Sequence, residues 1–435
     1  MRKNSKKKEC ELINFSRRKF LIGGTAFAAS AAVSGCFPAY REAAEKLKTL
    51  SNGDVKLIRQ LVGKTPAERT ILFEGLEKLD NPEIELKRPS GETEKIPANY
   101  APFTDDNYLR HQYEATLTGL KENESYQYRL LIKGGEGEWT EFRTPAKDKL
   151  TALIFPDSQS ADYSCWENVA QKAYKGGGDA NLYVNMGDLV DNGEDHTQWE
   201  AWFRALHGIE EHIPLAPVLG NHECYDNNWK VRLPNAYINY FPTPDNGSEN
   251  FSRYYYSFDM GPCHFMVLST EWDETKDFKE GLLEEEQAWL RRDANMSQKP
   301  WKIVLMHRDV LQYRIHNRPE RKEGISDAGN YFMPLFDELN IDIVFTAHLH
   351  TYRNRGVIKN MDRAKNGPYY ILTGIAGDVR YPNLWIDHAL DVKVAPQPET
   401  DNYLVMKADA ATVNIKCYKD DGSLIDDVTL NKNNM

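Results

Sequence analysis

The sequence lacks an excess of positive charge. Its 54 lysines and arginines are outnumbered by 65 aspartates and glutamates, giving a formal net charge of −11. Counterion release from phosphates therefore cannot drive generic nucleic-acid binding, and a polybasic mode of membrane attachment is disfavoured. Cysteine is scarce: six in 435 residues, at Cys10, Cys36, Cys165, Cys224, Cys263 and Cys417. Their scattered spacing suggests neither a disulfide framework nor a zinc ribbon. The mildly apolar, Ala/Gly-rich segment from Leu21 to Ala32 is too short for a permanent bilayer-spanning helix. Aromatic residues, in contrast, make up 11% of the chain, so its bulk is globular and not disordered. The length suits two or three domains.

The N-terminal stretch reads as a targeting segment. Lysine and arginine dominate Met1 to Lys8, and Ser16-Arg17-Arg18-Lys19-Phe20-Leu21 resembles a bacterial twin-arginine export signal. Val33-Ser34-Gly35-Cys36 resembles a lipobox. That resemblance implies a lipid anchor through Cys36 and an exported protein of the bacterial cell envelope. An ordinary secretory signal with a chance cysteine is the alternative. Residues 1–36 are thus expected to be signal and 37–68 a charged, Ala/Leu-rich linker.

Between 69 and 148 the pattern turns all-β. Tyr113–Leu117 and Tyr126–Ile132 alternate, with Gly119-Leu120-Lys121-Glu122-Asn123 as a turn between them. Leu117-Thr118-Gly119-Leu120 followed by Tyr126-Gln127-Tyr128 resembles the end of a fibronectin type III-like sandwich. From 149 to 432 strands and helices alternate. Apolar runs at Leu150–Phe155, Asn181–Met186, Pro214–Leu219, Trp301–Met306 and Ile341–Phe345 read as buried strands. Ser164–Tyr174, Leu282–Arg292 and Tyr331–Leu339 read as helices, and Tyr403–Lys407 with Thr412–Tyr418 as a closing hairpin. The expected fold class is mixed α/β, a two-sheet β core flanked by helices and preceded by a small all-β sandwich.

Five of these strands end in residues of types that can ligate a metal: Asp157, Asp188, Asn221, His307 and the pair His348/His350. One strand-end histidine means little, and an isolated His-x-His is more often surface than site. Five strand ends carrying Asp, Asp, Asn, His and His-x-His agree with each other, and in open α/β sheets ligands collect beyond the carboxyl ends of strands. Carboxylate, amide oxygen and imidazole suit ions such as Mn, Fe, Zn or Co. A shared carboxylate can hold two ions about 3.5–4 Å apart, the arrangement of two-metal hydrolytic centres.

Asp157-x-Gln159, Gly187-Asp188, Gly220-Asn221-His222-Glu223, Val304-x-x-His307 and Ala347-His348-Leu349-His350 resemble the five blocks of the calcineurin-like metallophosphoesterases. His348-Leu349-His350-Thr351-Tyr352-Arg353 and the preceding β region are most similar to the purple acid phosphatase branch. The resemblance implies two divalent or trivalent ions (Mn, Fe or Zn) and phosphomonoester hydrolysis with a metal-activated hydroxide as nucleophile. Its alternatives are phosphodiester or nucleotide hydrolysis at the same metals, or a surface-anchored binding protein with a degenerate site. The expected partner is a small phosphorylated substrate, with no nucleic-acid binding beyond a nucleotide substrate. Carried over, Asp188 bridges the ions; Asp157 and His350 hold one, and Asn221, His307 and His348 hold the other. His222 faces the substrate or supports the asparagine loop. Gln159 departs from the pattern, standing where most of the superfamily has a metal-binding histidine. Asp191 stands where the purple branch has a tyrosine ligand. Either residue could complete the first site. His316 falls where that branch places substrate-facing histidines, and the aromatic stretch around Tyr237, Tyr240, Phe241 and Tyr254–Tyr256 either walls the pocket or packs the core.

Overall fold

The computed structural model describes residues 55–133, 135–398 and 400–434. The export and lipidation signals expected within residues 1–36 lie outside the described residues. Among the described residues, no helix is long and apolar enough to cross a membrane.

Two large sheets form the core. The first has eleven strands. In spatial order they are Leu424–Asn431, Thr412–Lys419, Asn402–Asp409, Lys149–Phe155, Leu182–Asn185, Leu215–Pro217, Val55–Val62, Arg69–Gly75, Tyr108–Leu117 and Asn99–Tyr100, with Phe103–Asp105 also on Tyr108–Leu117. The second runs Tyr256–Met260, Cys263–Leu268, Trp301–Met306, Ile343–Thr346, Tyr369–Thr373, Tyr352–Lys359 and Asp362–Arg363, with Lys393–Val394 on Tyr352–Lys359. Lys149–Phe155, Leu182–Asn185 and Leu215–Pro217 pair in parallel, and so do Cys263–Leu268, Trp301–Met306, Ile343–Thr346 and Tyr369–Thr373.

Strand periodicity explains how the sheets are covered on both faces. Along Lys149–Phe155, Ala152 and Ile154 face the layer between the sheets, where they join Val184, Phe265, Ile303, Phe345 and Ile371. Their neighbours Leu153 and Phe155 face outward and meet the helices. Side chains alternate across a strand, so strands buried on both faces read as nearly continuous apolar runs. Helix Ser164–Gly176 packs on the outside of the first sheet, its Trp166 ring 5.3 Å from Phe155 and 5.9 Å from Trp202. Trp202 belongs to helix His196–Ala205, which starts where the Asp195 carboxylate accepts the Thr197 amide at 2.9 Å. Such a cap contributes about 1 kcal/mol. Helix Leu282–Met296, with Trp289, packs on the second sheet through Cys263–Leu268 and against helix Asp327–Glu338, which carries Phe332. The expected mixed α/β, two-sheet architecture is present.

One feature differs from the sequence expectation, and one open alternative is decided. Residues 37–68 read as a linker, yet Val55–Val62 is a strand inside the first sheet, parallel to Leu215–Pro217 through Leu61 and Leu215. Its alternation is masked because Arg59 and Gln60 are buried polar residues: Arg59 is held by the Tyr240 carbonyl and Gln112, and Gln60 by the Glu211 carbonyl. Through this strand the all-β region shares its sheet with the core. Opposite it, Thr140–Arg143, Ser125–Ile132, Glu83–Lys87 and Thr93–Pro97 form a separate small sheet over a core of Ile71, Phe73, Ile84, Tyr113, Tyr128 and Leu130. The aromatic stretch packs and does not line a pocket. Tyr237, Tyr240, Phe241, Tyr254, Tyr255 and Tyr256 are all buried, and the Tyr237 and Tyr256 hydroxyls donate to the Pro217 carbonyl at 3.0 and 2.9 Å.

Candidate metal centre

The carboxyl ends of the parallel strands in the two sheets meet. The first sheet brings Asp157, Asp188, Asn221 and His222, each in the turn that follows its strand. The second brings His307 directly after Trp301–Met306, and His348 and His350 after Ile343–Thr346.

Glycine makes these turns possible. Gly187 has φ +93, and a Cβ there would lie 2.6 Å from His307 Nδ1. A Cβ on Gly220 would lie 2.3 Å from the Asp188 amide nitrogen. Three of the candidate ligands themselves take left-handed backbone: Asp188 at φ 49, His348 at φ 76 and His350 at φ 53. Side-chain-bearing residues adopt that region at a cost, and such conformations collect at functional sites where the surroundings enforce them.

Two donor clusters share one carboxylate. One atom each from Asp188, His307 and His348 lies within 4.8 Å of the others, and the same holds for Asp157, Asp188 and His350. His307 Nε2 is 3.1 Å from Asp188 Oδ2, 3.3 Å from Asn221 Oδ1 and 3.3 Å from His348 Nδ1. On the other side, His350 Nε2 is 3.1 Å from Asp157 Oδ2. Asp157 Oδ1 accepts the His348 amide at 3.0 Å, which ties the two halves together.

The histidine tautomers follow from their outer partners. His307 Nδ1–H donates to the Met186 carbonyl at 2.9 Å, and His350 Nδ1–H donates to the Val379 carbonyl at 2.7 Å. A carbonyl can only accept, so both Nε2 lone pairs face inward; this backing is the usual support of metal-bound imidazole. Inward-facing acceptors crowd together as a result. Asp157 Oδ2 and Gln159 Oε1 are buried with no hydrogen-bond donor among the described residues. Such a set of oxygen and nitrogen lone pairs fits cations, and the donor chemistry suits Mn, Fe or Zn.

The electrostatics agree. Burial pushes the His307 pKa down, but the adjacent Asp188 charge and hydrogen bond outweigh it and carry it up to about 10. Asp188 is itself held low, because His307 and His222 outweigh the burial that would raise it. A cation would feel the same field. Burial, with His307 and Arg308 nearby, lowers the His348 pKa well below its usual value and leaves the ring a neutral ligand at neutral pH.

His222 stands beside this centre. Its amide donates to Asp188 Oδ1 at 2.9 Å and its Nδ1–H to the Asp191 carbonyl at 2.8 Å. Nε2 is then the acceptor, 3.8 Å from Asp188 Oδ2 and 3.2 Å from Gln159 Nε2. Gln159 therefore turns its amide nitrogen to His222, with its carbonyl oxygen left as the unpartnered atom. The Asp191 carboxylate lies 3.5 Å from His222 Nδ1. His316 is exposed.

Three residues escaped the sequence reading. Glu223 is fully buried, and its carboxylate accepts four backbone N–H groups: Asp188 at 3.0 Å, Leu189 at 2.8 Å, Val190 at 3.3 Å and Gly220 at 2.9 Å. It straps the Asp188 turn to the Asn221 turn. Its place in the Gly220-Asn221-His222-Glu223 block was the available signal. Arg355 grips Asp309 through two 2.7 Å contacts while Thr346 Oγ1 donates to Asp309 Oδ1 at 2.7 Å. That buried pair joins the loop after His307 to strand Tyr352–Lys359, which follows His350, and Thr346 ties it to the strand leading to His348. Removing one member of such a pair typically costs about 3–5 kcal/mol. Nothing in the sequence pairs these residues, which are 46 positions apart.

Comparisons with known proteins point the same way. The model of the calcineurin-like phosphoesterase family matches residues 151–352, the range that holds every candidate ligand. The chain is 29% identical over 238 residues to purple acid phosphatase 15 of Arabidopsis thaliana, covering 51% of this chain and 42% of the relative. It is 26% identical over 325 residues to acid phosphatase type 7 of Mus musculus, covering 65% of this chain and 70% of the relative. Of the first plant relatives it matches, the aligned part spans less than half the length, 42% and 38%. Its fold is similar to that of a purple acid phosphatase from yellow lupin (Lupinus luteus) seeds, with a TM-score of 0.74 at 18% identity, covering 87% of this chain and 74% of that one.

Proposed function

We propose that the calcineurin-like phosphoesterase domain of this chain hydrolyses phosphate monoesters at a binuclear metal centre. The observation that carries the reading is Asp188, shared between two clusters in which His307 and His350 turn Nε2 inward. Asp157, Asp188 and His350 would hold one ion; Asp188, Asn221, His307 and His348 would hold the other. Two ions bound there would supply a nucleophile at neutral pH and neutralise charge on the phosphoryl group.

The chain's own residues supply position and protons. The backbone of the Asp188 and Asn221 turns is fixed by Glu223, which keeps the ligands preorganised before substrate arrives. His222, with its Nδ1–H donated to the Asp191 carbonyl, turns Nε2 to the site, and only when that nitrogen also carries a proton can it donate to a phosphate oxygen or to the leaving-group oxygen. Gln159 hydrogen-bonds His222, and its unpartnered Oε1 is an available fourth donor for the first ion.

Phosphodiesters and nucleotides are the nearest alternative substrates, since the metals serve either. A binding protein with a degenerate site is the alternative of another class, and it predicts fewer than two ions per chain. Elemental analysis of the purified protein, together with turnover of an aryl phosphate by wild type and Asp188→Asn, tests the proposal. Two ions in wild type and at least about 10³-fold loss of turnover in the variant are expected for a residue that holds both ions. Retained turnover in Asp188→Asn would sink the mechanism.

A further inference from the structure

Trp229 is half-exposed, at 50%, although its ring is the largest apolar surface a side chain offers. Single exposed apolar residues are ordinary, but two features set this one apart. The first is its rigidity. Tyr225 and Val231 bridge as an antiparallel pair, and the Asp226 amide donates to the Lys230 carbonyl at 2.9 Å. Inside that turn the Asp226 carboxylate accepts the Asn228 and Lys230 amides at 2.7 and 2.8 Å, and the Asp226 carbonyl accepts the Trp229 amide and the Asn192 side chain, both at 2.9 Å. Trp229 sits at φ 61, a left-handed position that an aromatic residue adopts only when its surroundings enforce it.

The second feature is its neighbour. The Trp229 ring stands edge-on to His222, with centroids 5.7 Å apart and planes at 88°, and the Tyr225 ring lies 5.6 Å from His222 and 6.1 Å from Trp229. One imidazole separates the indole from Asp188, and half of Trp229 is open to solvent. A leaving group attached to a phosphate at the metal centre would leave past His222 and meet this ring.

We infer that Trp229 is a specificity-determining residue whose indole stacks a flat aromatic ring on the leaving group, selecting aryl or nucleoside phosphates over aliphatic ones. This deepens the reading of the site as a phosphomonoesterase and rests on it. Stacking on an indole accepts any aromatic face without hydrogen-bond readout, so the selected class is defined by ring, not by base identity.

The test uses the full, metal-loaded chain as wild type, Trp229→Ala and Trp229→Phe. Binding of phenylphosphonate and ethylphosphonate, which cannot be hydrolysed, is measured by calorimetry. KM and kcat are measured in parallel for phenyl phosphate, adenosine 5′-monophosphate and ethyl phosphate. Trp229→Ala should weaken phenylphosphonate binding by about 5- to 150-fold, the usual worth of an aromatic stack, and at least fivefold more than ethylphosphonate binding. Trp229→Phe should recover most of the difference. In turnover the loss should fall on KM of the aromatic esters and not on kcat, and the larger loss of the two identifies aryl or nucleoside as the preferred ring. Equal losses for aromatic and ethyl ligands would mean that Trp229 only props His222, and would overturn the inference; so would no loss at all. If wild type turned over none of the esters, the phosphatase reading would fall, and the phosphonate comparison would still decide the role of Trp229.

Discussion

Glu223→Gln isolates the strap that holds the turns carrying the candidate metal ligands. The substitution changes no volume, touches no candidate ligand atom and replaces one carboxylate oxygen by an NH2 group. In the wild-type protein Oε2 accepts the Asp188 and Gly220 amides at 3.0 and 2.9 Å, and Oε1 accepts Leu189 and Val190 at 2.8 and 3.3 Å. Whichever way the glutamine amide turns, its NH2 faces two N–H donors. Two hydrogen bonds to this buried carboxyl, whose pKa burial and the Asp188 charge raise to about 8, disappear, each worth about 0.5–1.5 kcal/mol, and two buried donors lose their partner at about 1–3 kcal/mol each. Relaxation of the turns recovers part of this, so a loss of about 3 kcal/mol is expected. For a chain of this size that is a fall in Tm of about 6–12 °C, extrapolating the shift of about 2–4 °C per kcal/mol found for domains of 150–250 residues. Differential scanning calorimetry of wild type and variant, each with metal bound and after chelation, provides the measurement. The variant should also bind metal at least about tenfold more weakly, as when groups that orient ligands are removed. A Tm within 1 °C of wild type (roughly the shift of a neutral surface substitution) and unchanged metal affinity would refute the strap.

Two other expectations concern different parts of the molecule. His264, buried between Asp259 and Asp293 at 2.8 Å each, has its pKa pulled down by burial, but the two carboxylates outweigh this and raise it from 6.5 to about 9. A group raised on folding stabilises fully below pH 6.5 and loses that contribution as pH passes 9; about 3 kcal/mol is at stake, absent from His264→Gln, and an NMR-titrated pKa at or below 6.5 would contradict it. Asp191 stands where the purple branch has a tyrosine ligand, so the iron-loaded protein should show no tyrosinate charge-transfer band; strong visible absorption would contradict this.

The roles of sequence and tertiary structure divide along physical lines. Strand and helix positions around the site were legible because buried strands read as apolar runs and helices carry their own period. The candidate ligands were legible because each follows its strand by a few residues, as Asp157 follows Phe155 and His307 follows Met306. Val55–Val62 was not legible, since Arg59 and Gln60 find partners on Tyr240, Gln112 and Glu211, far along the chain. The sharing of Asp188 between two clusters was an expectation that rested on resemblance, because it depends on two separate sheets bringing their strand ends together. Trp229 carries no signal in the sequence; the turn around Asp226 fixes it beside His222. Sequence alone determined which side chains stand ready at each strand end, because short-range periodicity sets that. Only the tertiary structure decided which nitrogen of His307 and His350 faces inward, what straps the turns and what flanks the site, because those depend on atoms brought together from distant parts of the chain.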